Sequence, residues 1–418
     1  PKGNENVYTR YTGTGGIPLD SLWKRVLFAW TQGDANILFT SYLQPQSKIQ
    51  IWRSVQERVS KIAPFLSLDR DPYAVLSNGK LYWIQDAYTT SDKFPYSSPY
   101  SDDSGTDLNY IRNSVKIVVD MYDGTVSFYV MDPKDPVLAV YQRAFPGVFK
   151  DLSQLSPDLK NHLRYPEDLF AIQTHEYKTF HMTDPQVFYN REDLWDSPNE
   201  EYNGNMLAMD PYYILMKLPG SNTLEYLLMT PFTPQNRDNM IAWVAARCDF
   251  PEYGKIIFYE LPKDKLIYGP NQIEAMIDQN TTISQQLTLW DQKGSQVIRG
   301  KLVVIPIENS FLYVVPVYLK AEGTNFPQLK RIIAVTADRV VMEPTLDGAI
   351  ASLFGEQQPL PQNAGAVTAS SSQPQQQPQL NEARTQLEAA QKAMQQGDWE
   401  QFGKAMQSLS HSLGTPKQ

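Results

Sequence analysis

The dipeptide Asn78-Gly79 sits between two apolar runs in "YAVLSNGKLYWIQDAY", and Asp123-Gly124 does the same in "VKIVVDMYDGTVSFYVM". Both dipeptides favour the positive φ angles of a tight hairpin turn, and such a turn fixes the register of the strands it joins. Two pinned antiparallel hairpins so close together confine this part of the chain to a sheet. In the second, Val115, Ile117 and Val119 alternate and are expected to face a core, with Lys116 and Asp120 directed away. Helical spacing precedes the strands. "DSLWKRVLFAWTQ" has Asp20 or Ser21 as a cap and Leu22, Val26 and Ala29 on one face, and "SKIQIWRSVQERVSKIA" carries Ile51, Val55, Val59 and Ile62 before Pro64. The fold class is therefore α+β. Thirty prolines against 22 glycines fit many short elements, and 418 residues suffice for about two or three domains.

The second half echoes the first in order. "MIAWVAARCDF" matches "VLFAWTQGDAN", and "NSFLYVVPVYL" matches "NGKLYWIQDAY". "LKRIIAVTADRVVMEP" matches "VKIVVDMYDGTVSFYVMDP", and "LDGAIASLFG" matches "DPVLAVYQRAFPGVF". "QIEAMIDQNTTISQQLTLW" supplies helical segments between them. An internal duplication is the expectation, with Trp30 equivalent to Trp243 and Tyr82 to Tyr313. The domain plan is a first α+β lobe at 1–144, a helical insert at 145–200 and a second α+β lobe at 201–360. A Gln/Pro/Ser-rich linker follows at 361–379, and a helical hairpin at 380–414. In the hairpin, Leu380, Ala383, Leu387, Ala390 and Met394 form one seam, and Trp399, Phe402, Met406, Leu409 and Leu413 the other. Two narrow seams suit docking or self-association.

A net charge of −9 argues against nucleic-acid binding, which needs a basic surface. One cysteine, Cys248, excludes an internal disulfide framework and reads as a small buried hydrophobe. No apolar run approaches the ~18 residues of a membrane helix, so this portion is expected to be soluble. The first residues, "PKGNENVY", show no initiator methionine and no signal-peptide pattern, as expected of a piece of something longer.

The richest chemical stretch is the insert. "FHMTDPQVFYNREDLW" (180–195) and "HLRYPEDLF" (162–170) hold the candidate ligand-binding residues His162, Arg164, Glu167, Asp168, His181, Asp184 and Arg191. A helix from Pro166 to about His181 sets His175 and His181 some 120° apart around its axis, at ~100° per residue, so they cannot share a metal as H-E-x-x-H does. "SPD", "YPED", "TDP" and "NRED" each fit a helix-start signal, so Glu167, Asp168, Asp184 and Asp193 fit capping and first-turn positions. Two converging helix starts would alternatively bind an anion. Asp102, Asp103 and Asp107, in "YSSPYSDDSGTDLNY", offer oxygens to calcium but lack EF-hand spacing. "GTGGIP" lacks the Lys and Ser/Thr of a P-loop, and neither G-x-S-x-G nor a Cys/His pair appears. No cofactor is expected; calcium at that loop is the one alternative.

With those residues in view, the chain resembles uncharacterised protein family 0182 of prokaryotic integral membrane proteins. The resemblance runs through nearly all of it, most specifically in "IAPFLSLDRDPYAVLSNGKLYWIQDAYTT", "NYIRNSVKIVVD", "HLRYPEDLF", "HMTDPQVFYNREDLW", "MDPYYILMKLPG" and "MTPFTPQNRDNMIAW". It implies a cell-membrane, multi-pass protein with an N-terminal bundle of membrane helices, of which this portion would be the extracytoplasmic domain. It supplies no activity or catalytic residue.

Two functions follow. The first is a non-catalytic extracytoplasmic domain that recognises an envelope component or partner protein, or supports assembly. The second is an envelope hydrolase or transferase using the insert carboxylates with His181 and Arg164 or Arg191. An enzyme requires titratable groups converging in a pocket within hydrogen-bond reach.

Overall fold

The computed structural model describes residues 11–44, 46–101, 107–202, 205–292, 294–307, 310–355 and residue 404. The chain divides after Glu356. The linker and helical hairpin expected at 361–379 and 380–414 lie outside the described residues, apart from Lys404, which is helical. The architecture is mixed, with helices packed on several antiparallel sheets. Among the described residues, no helix is long and apolar enough to cross a membrane.

Helix α1 (Leu22–Gln32) starts at Ser21, whose hydroxyl accepts from Lys24 N–H, and ends at Gly33 in the left-handed region. Of the face expected inside, only Ala29 is buried, whereas Leu22 and Val26 are exposed. Helix α2 (Val55–Ile62) leads into the first sheet, built from β1 (Ser67–Leu68), β2 (Tyr73–Ser77), β3 (Lys80–Ser91), β4 (Tyr110–Asp120), β5 (Val126–Val130) and β6 (Phe149–Asp151). Strands β1 and β2 both pair with one edge of β3, β4 pairs with its other edge, and β5 follows β4. Strand β6 joins β5 in parallel. The Asn78-Gly79 turn has both residues at positive φ, 49° and 75°, as a tight hairpin of this hand requires.

Val115, Ile117 and Val119 do face a core, made with Val59 of α2 and Leu138 of α3 (Pro136–Ala144). Lys116 is not in solvent, however. The opposite face of the sheet is covered by Leu155, Leu159 and Leu163, so β4 is buried on both sides and Lys116 has no exposure. The insert supplies that cover, then helix α4 (Glu167–Phe180) and helix α5 (Pro185–Asn190).

The middle sheet contains β7 (Trp195–Asp196), β8 (Tyr212–Lys217), β9 (Leu224–Pro234), β10 (Ala242–Arg247) and β11 (Ile256–Glu260), centred on β9 and β10. Leu228, Phe232, Ala242, Val244 and Ala246 pack toward Tyr165, Leu169 and Phe170 of the insert. Met229, Trp243 and Ala245 pack the other way, against α6 (Pro270–Gln279) and α7 (Thr281–Trp290). Asn280 breaks this helical stretch in two and caps α7 by accepting from Ile283 N–H.

A third sheet follows: β12 (Ser295–Arg299), β13 (Val303–Ile307), β14 (Ser310–Ala321), β15 (Gln328–Val335) and β16 (Val340–Glu343), then α8 (Leu346–Phe354). Its order is that of β1 to β5. Strands β12 and β13 share one edge of β14, β15 takes the other, and β16 follows β15. The ladder irregularity after Ala87 on β3 is matched by one after Val317 on β14. Two details depart from expectation. Trp30 lies on α1 and is 86% exposed, whereas Trp243 lies on strand β10 and is 2% exposed, so the two are not equivalent. The Ala-Trp-Val-Ala-Ala run is buried on both faces, and a run of that kind carries no period to separate helix from strand. Hairpin register, with Ser77 opposite Lys80 and Ile307 opposite Ser310, pairs Tyr313 with Trp83 and not with Tyr82. The trailing helices also differ: α3 packs on the face bearing Trp83, and α8 on the face opposite Tyr313, against Leu312 and Ala334.

Candidate functional site

The sharpest chain of polar contacts gathers at the head of α4. The turn between β1 and β2 carries Asp69, Arg70 and Asp71 in succession. Asp69 is buried; its carboxylate accepts from the Tyr88 hydroxyl and from Asp168 N–H at 3.2 Å. A carboxylate from the turn of the first sheet thus meets the positive end of α4, whose own cap residue, Pro166, has no side-chain acceptor to offer. Asp168 answers by accepting from Arg70 N–H at 2.8 Å and from its Nε at 2.6 Å.

Arg164 pairs with Asp71 and lies over the rings of Tyr73 and Tyr213, 3.9 and 4.6 Å from their centroids. Its carbonyl oxygen accepts from Lys116 Nζ at 2.7 Å and from the Tyr253 hydroxyl at 3.0 Å. The carbonyl of Tyr165 accepts from the Tyr213 hydroxyl at 2.6 Å. The segment just before α4 is therefore tied to the first sheet on one side and to residues of the middle sheet on the other. Beneath it, Lys116 and Asp86 form a buried ion pair, with Asn113 Nδ2 donating to the same carboxylate oxygen at 2.9 Å. Burial lowers the Lys116 pKa, and Asp86 opposes that shift. Burial raises Asp69, against the Tyr88 hydroxyl, and raises Glu167, against Arg164.

The candidate residues separate into groups. Arg164, Glu167 and Asp168 share the head of α4. His181 caps its far end, about 20 Å away at ~1.5 Å per residue, stacked on Trp195 at 3.8 Å. Asp184 is the N-cap of α5 and accepts from Gln186 and Val187 N–H at 2.7 and 3.2 Å. His162 is exposed at the end of the short helix Pro157–Asn161. Arg191 closes α5 in the left-handed conformation, φ 55°, so "NRED" is a helix exit and not a start. The seven do not form one constellation. Asp102 and Asp103 lie outside the described residues, while Asp107 accepts from Ser101 Oγ at 2.5 Å. Among the described residues, no group of three His, Cys, Asp or Glu is placed to hold a metal ion.

A cavity of about 690 Å³ opens beside the cluster. Asp168, Ala171 and Ile172 of α4 form one wall. Arg70, Ser67 and Thr90 of the first sheet form another, and Tyr100 and Asp107 a third. Every described residue that lines it belongs to the first half, so it is a pocket between the insert and the first sheet.

The chain matches the family described as Uncharacterised protein family (UPF0182) over residues 1–290. It is 52% identical to a UPF0182 protein of Bradyrhizobium diazoefficiens over 99% of this chain and 44% of that protein, and 51% identical to one of Salinibacter ruber over 99% and 44%.

The chain belongs to the UPF0182 family.

A UPF0182 protein of Methanospirillum hungatei is 50% identical over 86% of this chain and 40% of that protein. The chain spans less than half the length of these UPF0182 relatives. No solved structure matches it.

Sequence reasoning missed Asp69, Arg70, Asp71, Asp86 and Lys116. A signal for Lys116 was present. "VKIVV" breaks strict alternation at Val118, which marks a strand covered on both faces, and a lysine inside such a strand needs a partner.

Proposed function

We propose that this chain is a non-catalytic extracytoplasmic domain of a polytopic membrane protein, and that it recognises an envelope component through the pocket beside α4. The membrane setting follows from the family resemblance. The recognition role is supported by one observation: the charged groups around the head of α4, Glu167 apart, are engaged with the protein itself. Asp168 holds Arg70, Asp71 holds Arg164, Asp86 holds Lys116, and Asp69 holds Tyr88. Acid–base catalysis needs a titratable pair facing substrate, and His181, the imidazole of the hydrolase reading, is at the other end of the helix. Besides the paired Arg70 and Asp168, the pocket lining includes the hydroxyls of Ser67, Thr90 and Ser91, the Tyr100 ring, which meets His175 edge-on, and the acids Asp92 and Asp107. That lining suits a hydroxylated ligand such as a saccharide. Titration calorimetry with soluble envelope saccharide fragments tests this. Binding without turnover is expected, weakened about tenfold or more by Tyr100→Ala or Asp107→Ala, the order of a lost stacking or charge-assisted contact. Turnover of a fragment, or binding indifferent to both substitutions, contradicts it.

An internal duplication of the first and third sheets belongs to the same proposal. The shared strand order and the matched ladder irregularity support it. The opposite placement of α3 and α8 requires that the trailing helix changed faces after the copies diverged.

A further inference from the structure

Helix α1 turns its apolar stripe to solvent. Leu22, Trp23, Val26, Leu27 and Trp30 recur at the spacing of one helical face, and all five are exposed, Trp23 at 72%. The side toward the protein carries Arg25, half-buried, whose guanidinium donates to the carbonyls of Leu19 and Leu43 at 3.4 and 3.3 Å. Those bonds hold the helix with its stripe outward. The adjoining turn Asn36–Phe39 packs beside α1 and is followed by Tyr42; Phe39 and Tyr42 are both exposed. A continuous stretch of exposed aromatic and aliphatic side chains of this kind marks an interaction surface.

Charge points to the occupant. Residues 17–62 hold six basic side chains (Lys24, Arg25, Lys48, Arg53, Arg58, Lys61) against three acidic ones (Asp20, Asp34, Glu57), a net of +3 in a chain of net −9. Arg25 and Arg58, both half-buried, reach backbone carbonyls of the protein, and the other four basic groups are the ones offered to an anionic surface. Next to the helix is an open recess of about 1350 Å³ lined by Tyr42, Lys48, Trp52 and Arg53. We propose that this surface docks on an anionic lipid bilayer, with α1 lying in the plane of the interface. Indole and phenol rings settle at headgroup depth, where one part of the ring is apolar and another is wet. The aliphatic residues between them reach the acyl boundary, and the local positive charge meets lipid phosphates. A fluid interface also tolerates Leu, Val, Trp and Phe at different heights, which a rigid protein partner would need to match in shape. None of these residues lines the pocket beside α4, so docking here is separable from recognition there.

The test mixes the 418-residue chain with phosphatidylcholine vesicles, with or without phosphatidylglycerol. Sedimentation with the phosphatidylglycerol vesicles is expected, with a blue shift of tryptophan emission and weakening as salt is raised. The double variant Trp23→Ser/Trp30→Ser should lower partitioning at least about tenfold, because both rings leave the buried face. Its melting temperature should be unchanged, because both side chains already lie in water. A chain that stays in the supernatant with every vesicle overturns the proposal, as does a double variant that binds like the parent. Concentration-dependent self-association abolished by the same two substitutions, without vesicle binding, would assign the surface to a second copy and also overturn it.

Discussion

Replacing Asp86 with alanine is expected to lower the unfolding free energy by about 3–5 kcal/mol, the range for breaking a buried ion pair from one side. Lys116 has no solvent exposure and Asp86 almost none. Without the carboxylate, the ammonium keeps only the Arg164 carbonyl at 2.7 Å and the face of the Tyr253 ring at 5.2 Å. Asn113 Nδ2 would keep only a 3.4 Å approach to the Ala87 carbonyl. Several contacts across the joint would weaken together, because Arg164 is also the residue stacked between Tyr73 and Tyr213. Adding Lys116→Met to Asp86→Ala should recover most of the loss, since an apolar pair leaves no charge stranded in the interior. Urea unfolding of the parent, both single variants and the double variant gives the coupling directly. A cost below about 1 kcal/mol for Asp86→Ala would place the pair in the class of solvated ion pairs and remove its role as the joint between sheets.

Stability should fall as the pH rises from about 5 to 8. Glu274 on α6 is buried, and burial pushes its pKa up to about 7, with Arg299 opposing. In the unfolded chain a glutamate titrates near ~4.3. Between those values the native state holds a proton that the unfolded state has released, so raising the pH favours unfolding. The stabilisation is complete below the unfolded value and lost as the pH passes about 7, up to about 3–4 kcal/mol for this group alone. Burial moves Asp69, Glu167 and Glu200 in the same direction. Asp135 moves the other way: burial would raise it, but hydroxyls of Ser114, Thr89 and Tyr110 outweigh that, and its contribution is lost only in acid below this window. Thermal melts across the window should show the decline, and Glu274→Gln should flatten it and be more stable than the parent at pH 8. A parent protein whose stability rises over the same range contradicts the assignment.

The strands around Asn78-Gly79 were legible because turn chemistry and alternation agree there. Those around Asp123-Gly124 were legible from alternation, since only Gly124 of that pair has positive φ and the connection is longer than the tight turn expected. Helix α4 was legible to within a residue because Pro166 marks its start. Two things were not. "AWVAA" has no period, since both faces of β10 are covered, and α1 has a clear stripe that points the wrong way for a core. In both cases the deciding quantity is what lies on the far side of the element, which local sequence does not encode. The candidate site failed for a related reason. Arg164, Glu167 and Asp168 were found as part of the insert, but their partners Asp69, Arg70 and Asp71 sit nearly a hundred residues earlier and meet them only through sheet packing.

The extracytoplasmic placement is tested most directly by cysteine labelling in intact cells. Cys248 is buried and its thiol is pushed up to about 11 by that burial, so this domain's own cysteine should be silent to a membrane-impermeant maleimide, and labelling is read against the parent protein as background. Tyr189, in the last turn of α5, is 87% exposed. Carried by the full-length gene product, Tyr189→Cys should label in intact cells to the same extent as in permeabilised ones. Labelling that appears only after permeabilisation would put this domain on the cytoplasmic side and contradict the proposed function.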